Sequence, residues 1–190
     1  MKIKSFVGFV VVATIASMAN AASVDWTTGA LSFGETALKK STDVTGYLVY
    51  LSSGSLASTY TIDDSFSAAS VGTVVASDTD GANKGALLTG SLSVTTLGYG
   101  NGDVFAFVAS YKADGKTYWN ISETLNTLSG VDPNDPTVSP ADFTAYSMSS
   151  TVAGETGKAT AGGGWTAVPE PSTAALALAG LALLLKRRKA

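Results

Sequence analysis

The chain of 190 residues contains no cysteine and no histidine. The first absence removes disulfides and thiolate nucleophiles, so the fold must stand on its core alone. The second removes Ser-His-Asp and Cys-His nucleophile systems, histidine metal sites and the usual general base at neutral pH. Zinc and copper lose their common ligands with them. Charge is scarce as well, at 14% of residues, and there are five prolines, of which two flank Glu170. Half of the twelve Lys and Arg stand at the two ends, as Lys2, Lys4, Lys186, Arg187, Arg188 and Lys189. Between them, residues 22–167 carry six cations against fourteen acids, a balance of −8. A surface of that sign argues against nucleic acid and against anionic bilayers as partners of the body.

The ends read as an address. Residues 1–21 open with Lys2 and Lys4, run apolar from Phe6 to Ile15 and close on Ala19-Asn20-Ala21. A cationic start, a short apolar core and a small-x-small exit make a secretory signal peptide cleaved after Ala21 by signal peptidase. At the other end, residues 174–185 hold nothing more polar than Gly180. As a helix this run is roughly 18 Å long, short of the roughly 30 Å hydrocarbon core. Lys186, Arg187, Arg188 and Lys189 follow it as a stop-transfer block whose stems can snorkel to the interface. Pro169-Glu170-Pro171 precedes it. Proline fixes φ and keeps the residue before it out of the helical region, so this strip is extended and presents Glu170 outward.

These three parts, in this order, resemble the PEP-CTERM sorting signal. The resemblance covers about the last two dozen residues. It implies recognition by an exosortase, a membrane-embedded, transpeptidase-like enzyme of bacteria that make exopolysaccharide. It also implies a life history: export, a transient hold in the membrane by the C-terminal helix, then release or attachment at the cell surface. No Leu-Pro-x-Thr-Gly pentapeptide of the sortase type is present.

The body reads as strands. Residues 103–111, DVFAFVASY, put Phe105, Phe107, Ala109 and Tyr111 on one face, with Val104, Ala106 and Val108 on the other. A strand apolar on both faces belongs at the centre of a sheet covered on both sides. Asp114-Gly115 signals a hairpin, and 116–121 returns with Tyr118 and Trp119. Further strands are expected over 26–33, 45–51, 71–76, 85–95 and 143–152, with Trp165 as a final strand residue. Thr61 to Asp64 has the spacing of a helix start running to Ala69, and 122–128 reads as a helical turn. Short strands among Gly, Ser, Asn and Asp predict an all-β domain, a single β-sandwich or closed barrel. The resulting division is a signal peptide over 1–21, a β-sandwich over 22–161, a Gly-rich spacer over 162–167 and the sorting tail over 168–190.

Candidate chemistry inside the body is thin. Asp78, Asp80 and Asn83 beside Gly81 resemble half a calcium loop, but Ala82 stands where a ligand should be and no bidentate Glu follows. A solvated hairpin loop is the better reading. Asp132, Asn134 and Asp135 lie among Pro133, Pro136 and Pro140, residues that favour turns each for its own reason. Neither loop is assigned a metal. Asp63 and Asp64 are paired carboxylates, yet neighbours on a strand point apart and do not flank one bond. Asn120-Ile121-Ser122 matches a glycosylation triplet. Three Trp and seven Tyr suffice for a sugar-stacking surface with Trp119 beside Tyr118, and equally for a core. The core reading is preferred. The expectation is therefore a non-enzymatic exported protein of the cell surface or exopolysaccharide matrix, with no catalytic residues, cofactor or metal. A weak carbohydrate-binding or adhesive module is the alternative, and surface polysaccharide its partner.

Overall fold

The computed structural model describes residues 22–38, 43–79, 87–135 and 137–170. In chain order the strands are β1 (Ser23–Thr27), β2 (Ser32–Phe33), β3 (Thr36–Ala37), β4 (Val44–Leu51), β5 (Tyr60–Thr61), β6 (Thr73–Thr79), β7 (Thr89–Ser93), β8 (Val104–Ala113), β9 (Lys116–Ile121), β10 (Asn126–Thr127), β11 (Val152–Gly154), β12 (Lys158–Ala159) and β13 (Trp165–Ala167). Helix among the described residues is limited to a 3-10 turn, Ala68–Ser70, and one short α-helix, Val94–Leu97. The protein is all-β.

The main sheet runs β11-β13-β9-β8-β4-β6, with β10 extending the edge of β8. Its pairings are antiparallel except β11 with β13. It does not close into a barrel, because β6 and β11 end the order and pair no further strand among the described residues. β8 lies inside, and the alternation of its side chains decides the layering. Phe105, Phe107 and Ala109 join Val44 and Leu48 under the β1–β7 ribbon, which contributes Val24, Trp26 and Leu92. Ala106 and Val108 face the other way, against Val49, Trp119 and Ile121. That side is covered by Tyr60, Ile62, Phe66, Ala68 and Ala159, in part through the β5–β12 pair. Close approach of layers needs Gly46 on β4, where any Cβ would overlap the Phe107 ring and Leu88.

The β8–β9 hairpin turns through Asp114 and Gly115 at φ of 51° and 77°. Two positive φ values in succession make the turn whose twist matches the strands, and Asp-Gly is a sequence that tolerates it.

Several elements differ from the sequence expectation for local physical reasons. The strand over 26–33 breaks at Gly29, whose N–H bonds the Tyr146 carbonyl at 3.0 Å and turns the chain into the β2–β3 hairpin. Of the strand expected over 85–95, residues 85 and 86 lie outside the described residues, and 89–93 form a strand before the short α-helix. Thr61 pairs with Lys158 in β5 rather than capping a helix. Asp63 is used up in a turn, its Oδ1 accepting from the Ser65 N–H at 2.9 Å and the Ser65 hydroxyl at 2.6 Å. Helical geometry starts only after Ser67, capped reciprocally by Ser70.

Residues 122–128 are no helical turn; Asn126 and Thr127 pair with β8. The strand over 143–152 is mostly absent, leaving one bridge between Tyr146 and Thr28 and then β11. In its place runs a ladder of side chains. Asn120 Nδ2 donates to the Ser149 carbonyl at 2.7 Å, and the Ser122 hydroxyl to the Ser147 carbonyl at 2.7 Å. Asn126 binds Thr144 with both ends of its amide. Finally, 162–167 is not all spacer. Gly162 and Gly164 turn the chain at φ of 71° and 93°, and Trp165–Ala167 enters the sheet between β9 and β11, wholly buried. The Trp165 indole N–H donates to the Ser32 carbonyl at 2.7 Å and ties the strand to β2.

Candidate functional site

β13 runs antiparallel to β9 in the register Thr166 to Trp119 and Ala167 to Tyr118. The Val168 N–H continues that register by donating to the Thr117 carbonyl at 2.9 Å. Pro169 has no N–H to give, so the ladder ends there. Its ring lies beside Gly157, where a Cβ would stand 3.7 Å from Pro169 Cγ. One residue on, the Glu170 carboxylate is 3.3 Å from the ammonium of Lys116, the first residue of β9. Lys116 also donates to Glu155, on the loop after β11. The two carboxylates hold the Lys116 pKa above the ordinary lysine value, Glu155 through its hydrogen bond first and Glu170 second. Glu170 nonetheless keeps 69% of its side chain in solvent. A groove of about 390 Å³ lies alongside, walled by residues 168–170 on one side and by Asp63, Asp64, Phe66 and Trp119 on the other.

A strand delivered into the sheet, a proline that ends its pairing and an exposed glutamate between two prolines place an extended strip at the surface. Residues 167–189 match the family model of the PEP-CTERM protein-sorting motif. The chain carries a PEP-CTERM sorting motif. No curated protein and no solved structure matches the chain. The motif implies exosortase-dependent sorting of an exported protein to the cell envelope. Its match begins at Ala167, the last residue of β13, so its first residues are part of the folded body.

Pro169 and Glu170 therefore lie within the structure. Pro171, the signal-cleavage residues Ala19 and Ala21, and the cations Lys186, Arg187, Arg188 and Lys189 lie outside the described residues, as do the signal peptide and the apolar C-terminal run. No helix among the described residues is long and apolar enough to cross a membrane. The partners of Glu170 were not legible as site residues. Lys116 is marked in the sequence only by following the Asp114-Gly115 turn, and its contact with the strip is made by β13 lying beside β9.

The remaining candidates resolve into structure. Asp63 stands beside Trp119 at the groove, its pKa lowered by hydrogen bonds from the Ser65 hydroxyl and backbone. The Asp78 Oδ2 accepts the Thr89 N–H at 3.0 Å, while 80–83 lie outside the described residues. Asp132 and Asp135 each close a turn on the residue two positions ahead. Among the described residues no group of three or more acidic side chains converges as a metal site would require. Tyr118 and Trp119 point to opposite faces, Tyr118 against Phe33 with ring centroids 4.8 Å apart and Trp119 against Phe66 at 5.2 Å. All three tryptophans are buried. Asn120 of the glycosylation triplet is buried too, its amide nitrogen donating to the Ser149 carbonyl. A second cleft, of about 460 Å³, lies between Asp25, Ser91, Asp142 and Phe143 over the edge of Trp26. Its acids are already engaged, Asp142 by the Asp25 N–H and Asp25 by the Ser91 hydroxyl.

Proposed function

We propose that this is an exported, non-enzymatic protein of the cell surface or exopolysaccharide matrix, a β-sandwich body delivered by two successive processing events. Signal peptidase removes residues 1–21, and exosortase then acts at the C-terminal motif. The match over 167–189 supports the sorting part of this reading. The apolar run 174–185 holds the tail in the membrane for a time, Lys186 to Lys189 keep it from sliding out, and Pro169-Glu170-Pro171 stands at the outer face where an enzyme can reach it. The body contributes a solvated acidic surface, compatible with a hydrated polysaccharide environment. Burial of every tryptophan among the described residues supports the matrix reading over the glycan-binding one, since a sugar platform needs exposed rings.

Replacing Glu170 by Ala tests the reading. Glu170 lies outside the core, so the variant folds and is exported, yet stays in the membrane fraction with its tail uncut. Release of Glu170→Ala at the wild-type rate would reduce the tail to a plain anchor.

A further inference from the structure

We propose that Lys116 is a latch on the sorting motif: it holds Glu170 against the body, and exosortase takes only molecules in which residues 168–170 have come away. This rests on the sorting reading above. An enzyme that acts on an extended strip must reach its backbone and side chains, and in the folded body one edge of the strip is occupied. The Val168 N–H is given to Thr117 and the Glu170 carboxylate to Lys116. Pro169 packs toward Gly157, and the strip walls a groove with Asp63 and Asp64.

The hold is weak, and that makes it a control rather than a lock. Past Val168 the strip is kept by one exposed ion pair, and such a pair shifts an equilibrium by about two- to fivefold. If the competent fraction is small, processing scales with it directly. Charges around the strip act in both directions. Among the residues lining the groove Lys116 is the one cation, and Asp63, Asp64 and Glu170 are its acids. Glu155 competes with Glu170 for the same ammonium and repels its carboxylate. Removing Lys116 therefore opens the latch, and removing Glu155 tightens it.

Processing of the full-length precursor in its own membranes, followed by pulse-chase, reads both effects. Lys116→Ala should be cut about two- to fivefold faster than wild type, and Glu155→Ala slower. The chain has no cysteine of its own, so a lock can be added. Thr117 and Val168 are cross-strand neighbours, and neighbours in antiparallel strands lie within the Cα separation a disulfide requires. The Thr117→Cys/Val168→Cys precursor should stay uncut while oxidised and regain the rate of the Val168→Cys single variant on reduction. Wild-type rates for both Lys116→Ala and Glu155→Ala, or normal cutting of the oxidised double variant, would overturn the latch. So would slower cutting of Lys116→Ala, which would make Lys116 an aid to recognition. Glu170→Ala keeps the two readings apart: blocked processing there beside unchanged Lys116→Ala sinks the latch alone.

Discussion

Asn126 does for Thr144 what a neighbouring strand does elsewhere. Its amide accepts the Thr144 N–H at 2.9 Å and donates to the Thr144 carbonyl at 2.9 Å, copying a backbone pair. Replacing it with Ala leaves two backbone groups without partners, and we expect a loss of about 2–4 kcal/mol. Urea denaturation should show a lower midpoint with unchanged slope. Three tyrosines set a limit at alkaline pH. Burial raises the Tyr146 pKa above the ordinary value. The negative charge of Asp103 raises Tyr50, and burial, then Tyr50 and Asp103, raise Tyr99. In each case the folded state keeps a proton that the unfolded chain gives up near pH 10, so their stabilisation is complete below about pH 10 and is lost as pH rises beyond it. Urea midpoints should be insensitive to these groups from about pH 7 to 9 and fall above about pH 10. Asp103→Asn should move the Tyr50 titration back toward its ordinary range, as read by phenolate absorbance.

Among the elements, β8 was the most legible and is the most exposed to damage. Phe107 is fully buried and meets Trp26 and Tyr146 at centroid distances of 5.5 Å each. Phe107→Ala should cost about 3–5 kcal/mol, and Phe107→Asp should abolish the cooperative transition, since an unpaired charge there has no partner. The β8–β9 hairpin could be read because its signals are local: period-two alternation and an Asp-Gly turn. The strands expected over 45–51 and 71–76 form as β4 and β6, within a few residues of those bounds. What escaped was pairing that leaves no local trace. Tyr60 meets Ala159 and Trp165 reaches Ser32 across most of the chain, and two-residue strands have no period to detect. The ladder from Asn120, Ser122 and Asn126 misled in a further way. It engages Thr144, Ser147 and Ser149 through side chains, so a stretch of strand-like composition stays irregular. The glycines at 162–164 suggested slack chain, whereas two of them make the turn that carries Trp165 into the core.

At the scale of the whole molecule, the address was legible and its seat was not. Pro169-Glu170-Pro171, the apolar run and the cations are contiguous, so order and spacing sufficed. Lys116 and Glu155 meet the motif only once β9 and β13 lie side by side. The same adjacency predicts where the body tolerates truncation. A chain ending at Glu170 keeps β13 and should melt like the tailed protein. One ending at Gly164 loses Trp165 and a strand inside the sheet, and should fail to give a cooperative melt by circular dichroism. That interior place for β13 also sets a timetable. It follows every other described strand in the chain, so a polypeptide leaving the cell N-terminus first delivers it after all the others. Until it arrives, β9 has an unpaired edge open to other chains. When it arrives, the sheet is completed and the first residues of the sorting motif emerge in the same moment. Maturation of the body and closure of the latch on its address are thus one event in time, and a chain broken upstream completes neither.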